Sequence, residues 1–319
     1  MELRCEPRHA LAEYGFLLLR RLQMHMFSSK TISLFATLLF LSACATVPPA
    51  QTRLQETDDL AVVAADVLEL AKRYGTNEVI VVFDIDNTLL AMEQGLGSDQ
   101  WYDWQKELQA ENPCSGMLVS NLLGVQGALY FASAMRLTQP DAAQQVERLQ
   151  DAGLTVIALT SRGSDFRLQT FRELRRNGIS LWPSALPPSE GYAEAFIPEG
   201  GSRPALYEDG VFLTAGQHKG QMLKALLDKT GTRYPKVVVM ADDKEGNLQA
   251  ILETFADSGT SIHAWRYSKE DGNVAAFDPA LSSGQWIRLR PALQTIQQVM
   301  GPDNFDFPQR VVREGCNPL

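Results

Sequence analysis

Apolar and polar positions change rhythm several times along the chain, and each change predicts an element. From Asp59 to Tyr74, "DLAVVAADVLELAKRY" carries apolar residues at helical spacing and stops at Gly75, which predicts a helix. Next comes "EVIVVFD" (78–84), a short unbroken apolar run of the kind that forms a parallel strand covered on both faces. The same pattern recurs in "LTVIALTSR" (154–162) and "KVVVMADD" (236–243), and more weakly in "SIHAWRY" (261–267). Helical patterns lie around these runs: "PDAAQQVERLQDAG", "SDFRLQTFRELRRNG", "KGQMLKALLDKTG" and "KEGNLQAILETFADSG", each closed by a glycine. Strand and helix in alternation predict a doubly wound α/β fold, a three-layer sandwich around a parallel, Rossmann-like sheet.

Two segments break the alternation. Residues 91–137 hold no convincing strand but contain "SDQWYDWQKELQAE" and "GMLVSNLLGVQGALYFASAMRL", both helical in pattern. They read as a helical insertion after the first sheet strand, which leaves 59–90 and 138–319 as the core domain. The stretch from Trp182 to Gly216 is rich in Pro and Gly and reads as a loop and a hairpin ahead of Lys219.

The N-terminus has another character. "KTISLFATLLFLSACATVPPA" starts at Lys30, runs through an apolar segment of export-signal length and ends in small residues. Its "LSAC" resembles a bacterial lipobox, which implies cleavage before Cys44, acylation of that cysteine and, with Ala45 following, anchoring on the periplasmic side of the outer membrane. Residues 1–44 then form a leader and lipoprotein signal, and 45–58 a flexible tether. A translation start at Met24 or Met26 would account for the mixed segment ahead of Lys30.

Composition narrows the function classes. Hydrophobic residues make up 45% of the 319 and charged residues 21%, as in an ordinary globular chain. A net charge of -9 argues against nucleic acid as a partner, since such binders present a basic face. The four cysteines fall at Cys5, Cys44, Cys114 and Cys316. In an oxidising compartment Cys114 and Cys316 can pair, though spacing alone leaves that open.

Ligands of open parallel sheets bind beyond the carboxyl ends of the strands, so the residues ending each run matter most. The first run ends in Asp84 and Asp86, the second in Thr160, Ser161 and Arg162, the third in Asp242 and Asp243, and Lys219 opens a helix after a Gly-containing turn. Carboxylates crowded at one edge disfavour one another's ionisation unless a cation neutralises them. An all-carboxylate set suits a hard ion such as Mg2+, which completes its shell with water and phosphate oxygens. Arg162 and Lys219 add the positive charge that an anion needs, so the ensemble describes a phosphate site. Plainer readings stand beside this one. Aspartates cap turns, and Arg162 could form a salt bridge on the following helix instead of touching substrate. His218 reads as an exposed loop residue, and Asn247 either orients the acid pair or sits in a first helical turn. Trp101, Tyr102 and Trp104 either pack the insertion or line a pocket mouth.

"DIDNT" (84–88), "VIALTSRG" (156–163), Lys219 in "HKGQML" and "VVVMADDKEGN" (237–247) together resemble, in order, the four motifs of the haloacid dehalogenase (HAD) superfamily of phosphatases. The resemblance spans Val79 to Asn247 and is most like a poorly characterised branch of exported bacterial lipoproteins. It implies a Mg2+-dependent phosphatase acting on a small phosphomonoester, with the insertion as a cap. Asp84 would be the nucleophile and Asp86 the general acid and then base. Thr160, with Ser161 as second candidate, and Arg162 would contact the phosphoryl group, and Lys219 would pair with nucleophile and phosphate. Asp84, the carbonyl of Asp86, and Asp242 or Asp243 would hold Mg2+. Two rivals stay open: a phosphotransferase on the same site, and a catalytically idle envelope-binding lipoprotein. Oligomeric state is not legible.

Overall fold

The computed structural model describes residues 51–301. Cys5, Cys44, the lipobox and Cys316 lie outside the described residues; Cys114 lies within them and is disulfide-bonded.

The apolar runs become strands because every one of their side chains finds cover. In β2 (Val79–Phe83) all five residues are buried, and successive side chains point to opposite faces of the sheet. Val79, Val81 and Phe83 pack against Leu60, Val63 and Val67 of α1 (Leu60–Tyr74) and Val146 and Leu149 of α4 (Ala142–Asp151). Ile80 and Val82 pack the other way, against Met222, Leu223 and Leu226 of α6 (Lys219–Thr230) and Leu248 and Ile251 of α7 (Glu245–Phe255). Helices therefore cover both faces, and each fully buried aliphatic contributes about 1.5–3 kcal/mol.

The other strands are β1 (Arg53–Thr57), β5 (Thr155–Thr160), β6 (Leu206–Glu208), β7 (Val211–Leu213), β8 (Val237–Asp242) and β9 (Ser261–Tyr267). They join β2 in one seven-stranded sheet of order β1-β9-β8-β2-β5-β7-β6. Every pairing is parallel except the β6–β7 hairpin. The result is a mixed α/β fold around a mainly parallel sheet, with β2 at its centre between β8 and β5.

Three features depart from the pattern reading. The segment taken as tether, 45–58, contains β1, an edge strand paired only to β9. Its "RLQET" is polar and only partly buried, so no hydrophobic rhythm marks it. The insertion, read as strandless, is rooted in an antiparallel ribbon of β3 (Leu90–Met92) and β4 (Met135–Leu137), each too short to alternate visibly. Between them run α2 (Asp99–Glu111) and α3 (Leu122–Ala132), as the helical pattern predicts. After α5 (Arg167–Arg176) and α8 (Asp271–Ala275), the chain also forms a 22-residue helix, α9 (Pro279–Met300), which the interior Pro291 conceals in the sequence. Trp286 and Leu289 of α9, with Phe277, pack on the insertion's own cluster of Leu96, Trp101, Val119, Val125 and Leu129. Among the described residues no helix is long and apolar enough to cross a membrane.

Where α6 crosses α7, Gly220 is the contact: a Cβ there would lie 2.2 Å from the Ala250 carbonyl oxygen and 2.3 Å from Thr254 Oγ1. Gly220→Ala forces the helices apart and is expected to destabilise the protein by about 1–3 kcal/mol or more. Chemical denaturation of the two proteins checks this, and equal stability would mean that the helices do not meet so closely.

Candidate active site

The chain turns sharply after β2, and that turn shapes the site. The Asp84 N–H still donates to the Ala241 carbonyl of β8, 2.9 Å away. The Ile85 carbonyl then accepts from both Leu89 and Leu90, and Asn87 takes a positive φ of 56°, which asparagine tolerates better than most residues. Asp84 is thereby left buried beyond the strand end, beside the end of β8.

Lys219, the first residue of α6, is 1% exposed. A cation at a helix N-terminus opposes the helix dipole. Its compensation is specific: Nζ lies 2.8 Å from Asp84 Oδ1 and 2.6 Å from Asp242 Oδ2. Both carboxylates and the desolvation of Lys219 act on its proton; burial opposes the charge, but the two acids hold it well above the ordinary lysine range. His218, exposed, caps the helix by accepting the Gln221 N–H at Nδ1, a structural role consistent with a loop histidine.

Asp242 is fully engaged. Oδ1 accepts the Lys244 N–H at 2.8 Å and Asn247 Nδ2 at 2.9 Å, and Oδ2 takes Asn247 Nδ2 at 3.1 Å besides Lys219. Asn247 thus fixes Asp242, one of the two acids. Neighbouring Asp243 donates its N–H to Thr88 Oγ1, 3.1 Å away. One carboxylate oxygen each from Asp84, Asp242 and Asp243 lie within 4.8 Å of one another. Burial pushes the Asp84 carboxyl up to about 7, with Lys219 opposing and Asp242 and Asp86 adding to the rise. Burial and the charges of Asp84 and Asp242 push Asp243 to about 9. Hard oxygen donors that repel one another fit a divalent cation, and the fit is best for Asp84 and Asp243, since Asp242 already has partners for both oxygens.

Asp86 belongs to a separate arrangement. Arg162 Nε donates to its Oδ2 at 2.9 Å and Nη2 to its Oδ1 at 2.8 Å, and the Tyr130 hydroxyl donates to Oδ1 at 2.8 Å. Burial works against the charge, but Arg162 outweighs it and holds the Asp86 carboxyl below its usual range. The Asp86 side chain is therefore not among the carboxylates gathered with Asp84. Arg162 forms an ion pair, but with Asp86 and not with a carboxylate on the following helix. Further donors reach Thr170 Oγ1 and Met135 Sδ, so most of the guanidinium is engaged within the protein.

Thr160 ends β5 fully buried, its Oγ1 accepting the Arg162 N–H and its carbonyl fixed by Thr214. Ser161 is exposed beside it. Trp101 packs in the insertion's core and Trp104 lies against Phe277, ring centroids 6.1 Å apart, so both are packing residues. Sequence reasoning missed two contacts from the insertion: Tyr130 of α3, and Asp99 and Asp103 of α2, each 2.7 Å from Lys244 Nζ. No motif marks Tyr130 within "GALYFASAM"; only the fold brings it to Asp86.

Residues 56–297 match a family model described as "Protein of unknown function (DUF2608)", and the chain belongs to that family. No curated protein matches. Among solved structures, the chain is similar to a class C acid phosphatase from Bacillus anthracis with tungstate bound, at 12% identity and a TM-score of 0.33, covering 64% of this chain and 72% of that one. A likeness at that level carries no argument about chemistry.

The acid cluster predicts a pH signature. Asp84 and Asp243 hold protons more tightly in the folded chain than at the reference value of 3.8, so each adds stability at low pH and loses it as pH rises through about 7 and about 9. Without divalent cations the melting temperature should therefore fall between about pH 5 and pH 9 through these groups, and added Mg2+ should raise it more at the alkaline end. Thermal scans with Mg2+ and with chelator test this; a Mg2+ effect of equal size at both ends would contradict the assignment.

Proposed function

We propose that this protein is a Mg2+-dependent phosphatase acting on a small phosphomonoester through an aspartyl-phosphate. The observation that carries the proposal is the division of labour at the strand ends. Asp84 sits with Lys219, Asp242 and Asp243, while Asp86, two residues on, is held apart by its own partners. Two carboxylates with different surroundings suit two different tasks.

Asp84 would attack phosphorus and form the acyl phosphate, splitting one hydrolysis into two easier displacements. Lys219 would keep the nucleophile oriented and offset charge on the phosphoryl oxygens. Thr160 has a hydroxyl hydrogen to give to one of those oxygens. Asp86 rests as a carboxylate, the form a base needs when water attacks the acyl phosphate. For the first displacement it must carry a proton. A phosphomonoester, whose second pKa is about 6, brings one in as its monoanion. Asp84 and Asp243, with the Asp86 carbonyl, would hold Mg2+, which would let the anionic nucleophile approach an anionic phosphate. The insertion, touching the site through Tyr130 and through Asp99 and Asp103, would serve as the cap that excludes water.

The reading extends to location: the lipobox around Cys44 would tether the enzyme to the outer membrane, facing the periplasm. Mass spectrometry of the mature N-terminus tests that separately.

Hydrolysis of an aryl phosphate by the purified protein tests the chemistry. Turnover should require Mg2+ and stop with chelator, and Asp84→Asn should lower kcat by at least about 10^3-fold while the protein stays folded. Asp84→Asn with wild-type turnover would overturn the nucleophile assignment.

A further inference from the structure

The insertion supplies a group to the site that the motifs do not. The Tyr130 ring is 3% exposed and fixed on two sides: it meets Phe166 edge-on at 5.7 Å and lies under the Arg162 guanidinium, 4.6 Å from the ring centroid. The α3 terminus that carries it is tied to the core by Arg172, which donates to the carbonyls of Tyr130, Phe131 and Ser133. Arg162 is anchored equally well, by Thr170 and Met135.

These two residues fill the Asp86 carboxylate unequally. A carboxylate offers about four in-plane acceptor positions, two on each oxygen. Oδ1 has both occupied, by Arg162 Nη2 and by Tyr130; among the described residues Oδ2 has one, by Arg162 Nε. We propose that Tyr130 is a positioning residue of the active site: with Arg162 it closes Oδ1 and locks the carboxylate plane, so that Oδ2 alone exchanges the proton with the leaving oxygen and then with water. In the first step the Asp84 oxygen–phosphorus bond forms, the ester oxygen–phosphorus bond breaks, and the proton on Oδ2 passes to the departing oxygen. In the second, Oδ2 takes a proton from water as water displaces Asp84 from phosphorus. The insertion must be docked for this lock to exist, which makes it part of the proton path and not only a cover. This inference rests on the phosphatase reading above.

Tyr130→Phe removes the hydroxyl and keeps the ring. The discriminating readout is kcat/KM for an alkyl phosphate against p-nitrophenyl phosphate, because an alkoxide needs a proton to leave and nitrophenolate does not. General acid catalysis is worth about 10^2–10^4-fold, and losing the lock should sacrifice roughly tenfold of it on the alkyl ester but less than about threefold on the nitrophenyl ester. Inhibition by inorganic phosphate should be unchanged, and the protein should melt lower but still as one folded species. Arg162→Lys, which keeps the charge but loses the fork, should show the same bias and provides a second route if Tyr130→Phe folds poorly. Equal losses on both esters, or none, would overturn the positioning role while leaving the phosphatase standing. A wild-type protein that turns over neither ester would remove the phosphatase reading and this inference with it.

Discussion

The ammonium of Lys219, shared between Asp84 and Asp242, is the contact on which the rest of the site depends. Burial and repulsion push the Asp84 and Asp243 carboxyls toward protonation, and at Asp84 the Lys219 charge opposes this. The sheet order serves this contact. β8 and β2 are neighbours, so Asp242 and Asp84 emerge side by side, and α6 begins where its first residue can reach both. Gly220, one residue later, lets α6 settle against α7, the helix that carries Asn247 to the other side of Asp242. A buried ion cluster of this kind is a poor way to gain stability. Its retention at the edge where ligands of such sheets bind argues for a site.

A second dependence runs through the insertion. It enters and leaves by the β3–β4 ribbon and is packed from outside by α9. From there it meets the core at two charged points. Tyr130 reaches Asp86, and Asp99 with Asp103 reach Lys244, the residue after Asp243. A movement of the insertion would therefore disturb the partners of Asp86 and of Lys244 together.

Much of this was legible in the sequence, for physical reasons. Strands buried on both faces print themselves as unbroken apolar runs, and "VIVVF" and "VVVMA" are such runs; the acids that follow them then mark the carboxyl edge of the sheet. What escaped lacked such a signal. β1 is a polar edge strand bonded on one side, the ribbon strands are three residues long, and Pro291 interrupts the pattern of α9. The partner of Arg162 was not legible, since its pairing with Asp86 depends on Tyr130 and Thr170 closing around it. Tyr130 and Asp99 lie far from their partners in sequence and meet them only through tertiary packing.

Trapping the covalent intermediate tests the central claim most directly. Borohydride added during turnover reduces an acyl phosphate to an alcohol, converting the modified aspartate to homoserine, which peptide mass spectrometry locates. The account predicts homoserine at position 84, dependent on both substrate and Mg2+. Turnover that leaves Asp84 unreduced, or reduction at another carboxylate, would contradict it.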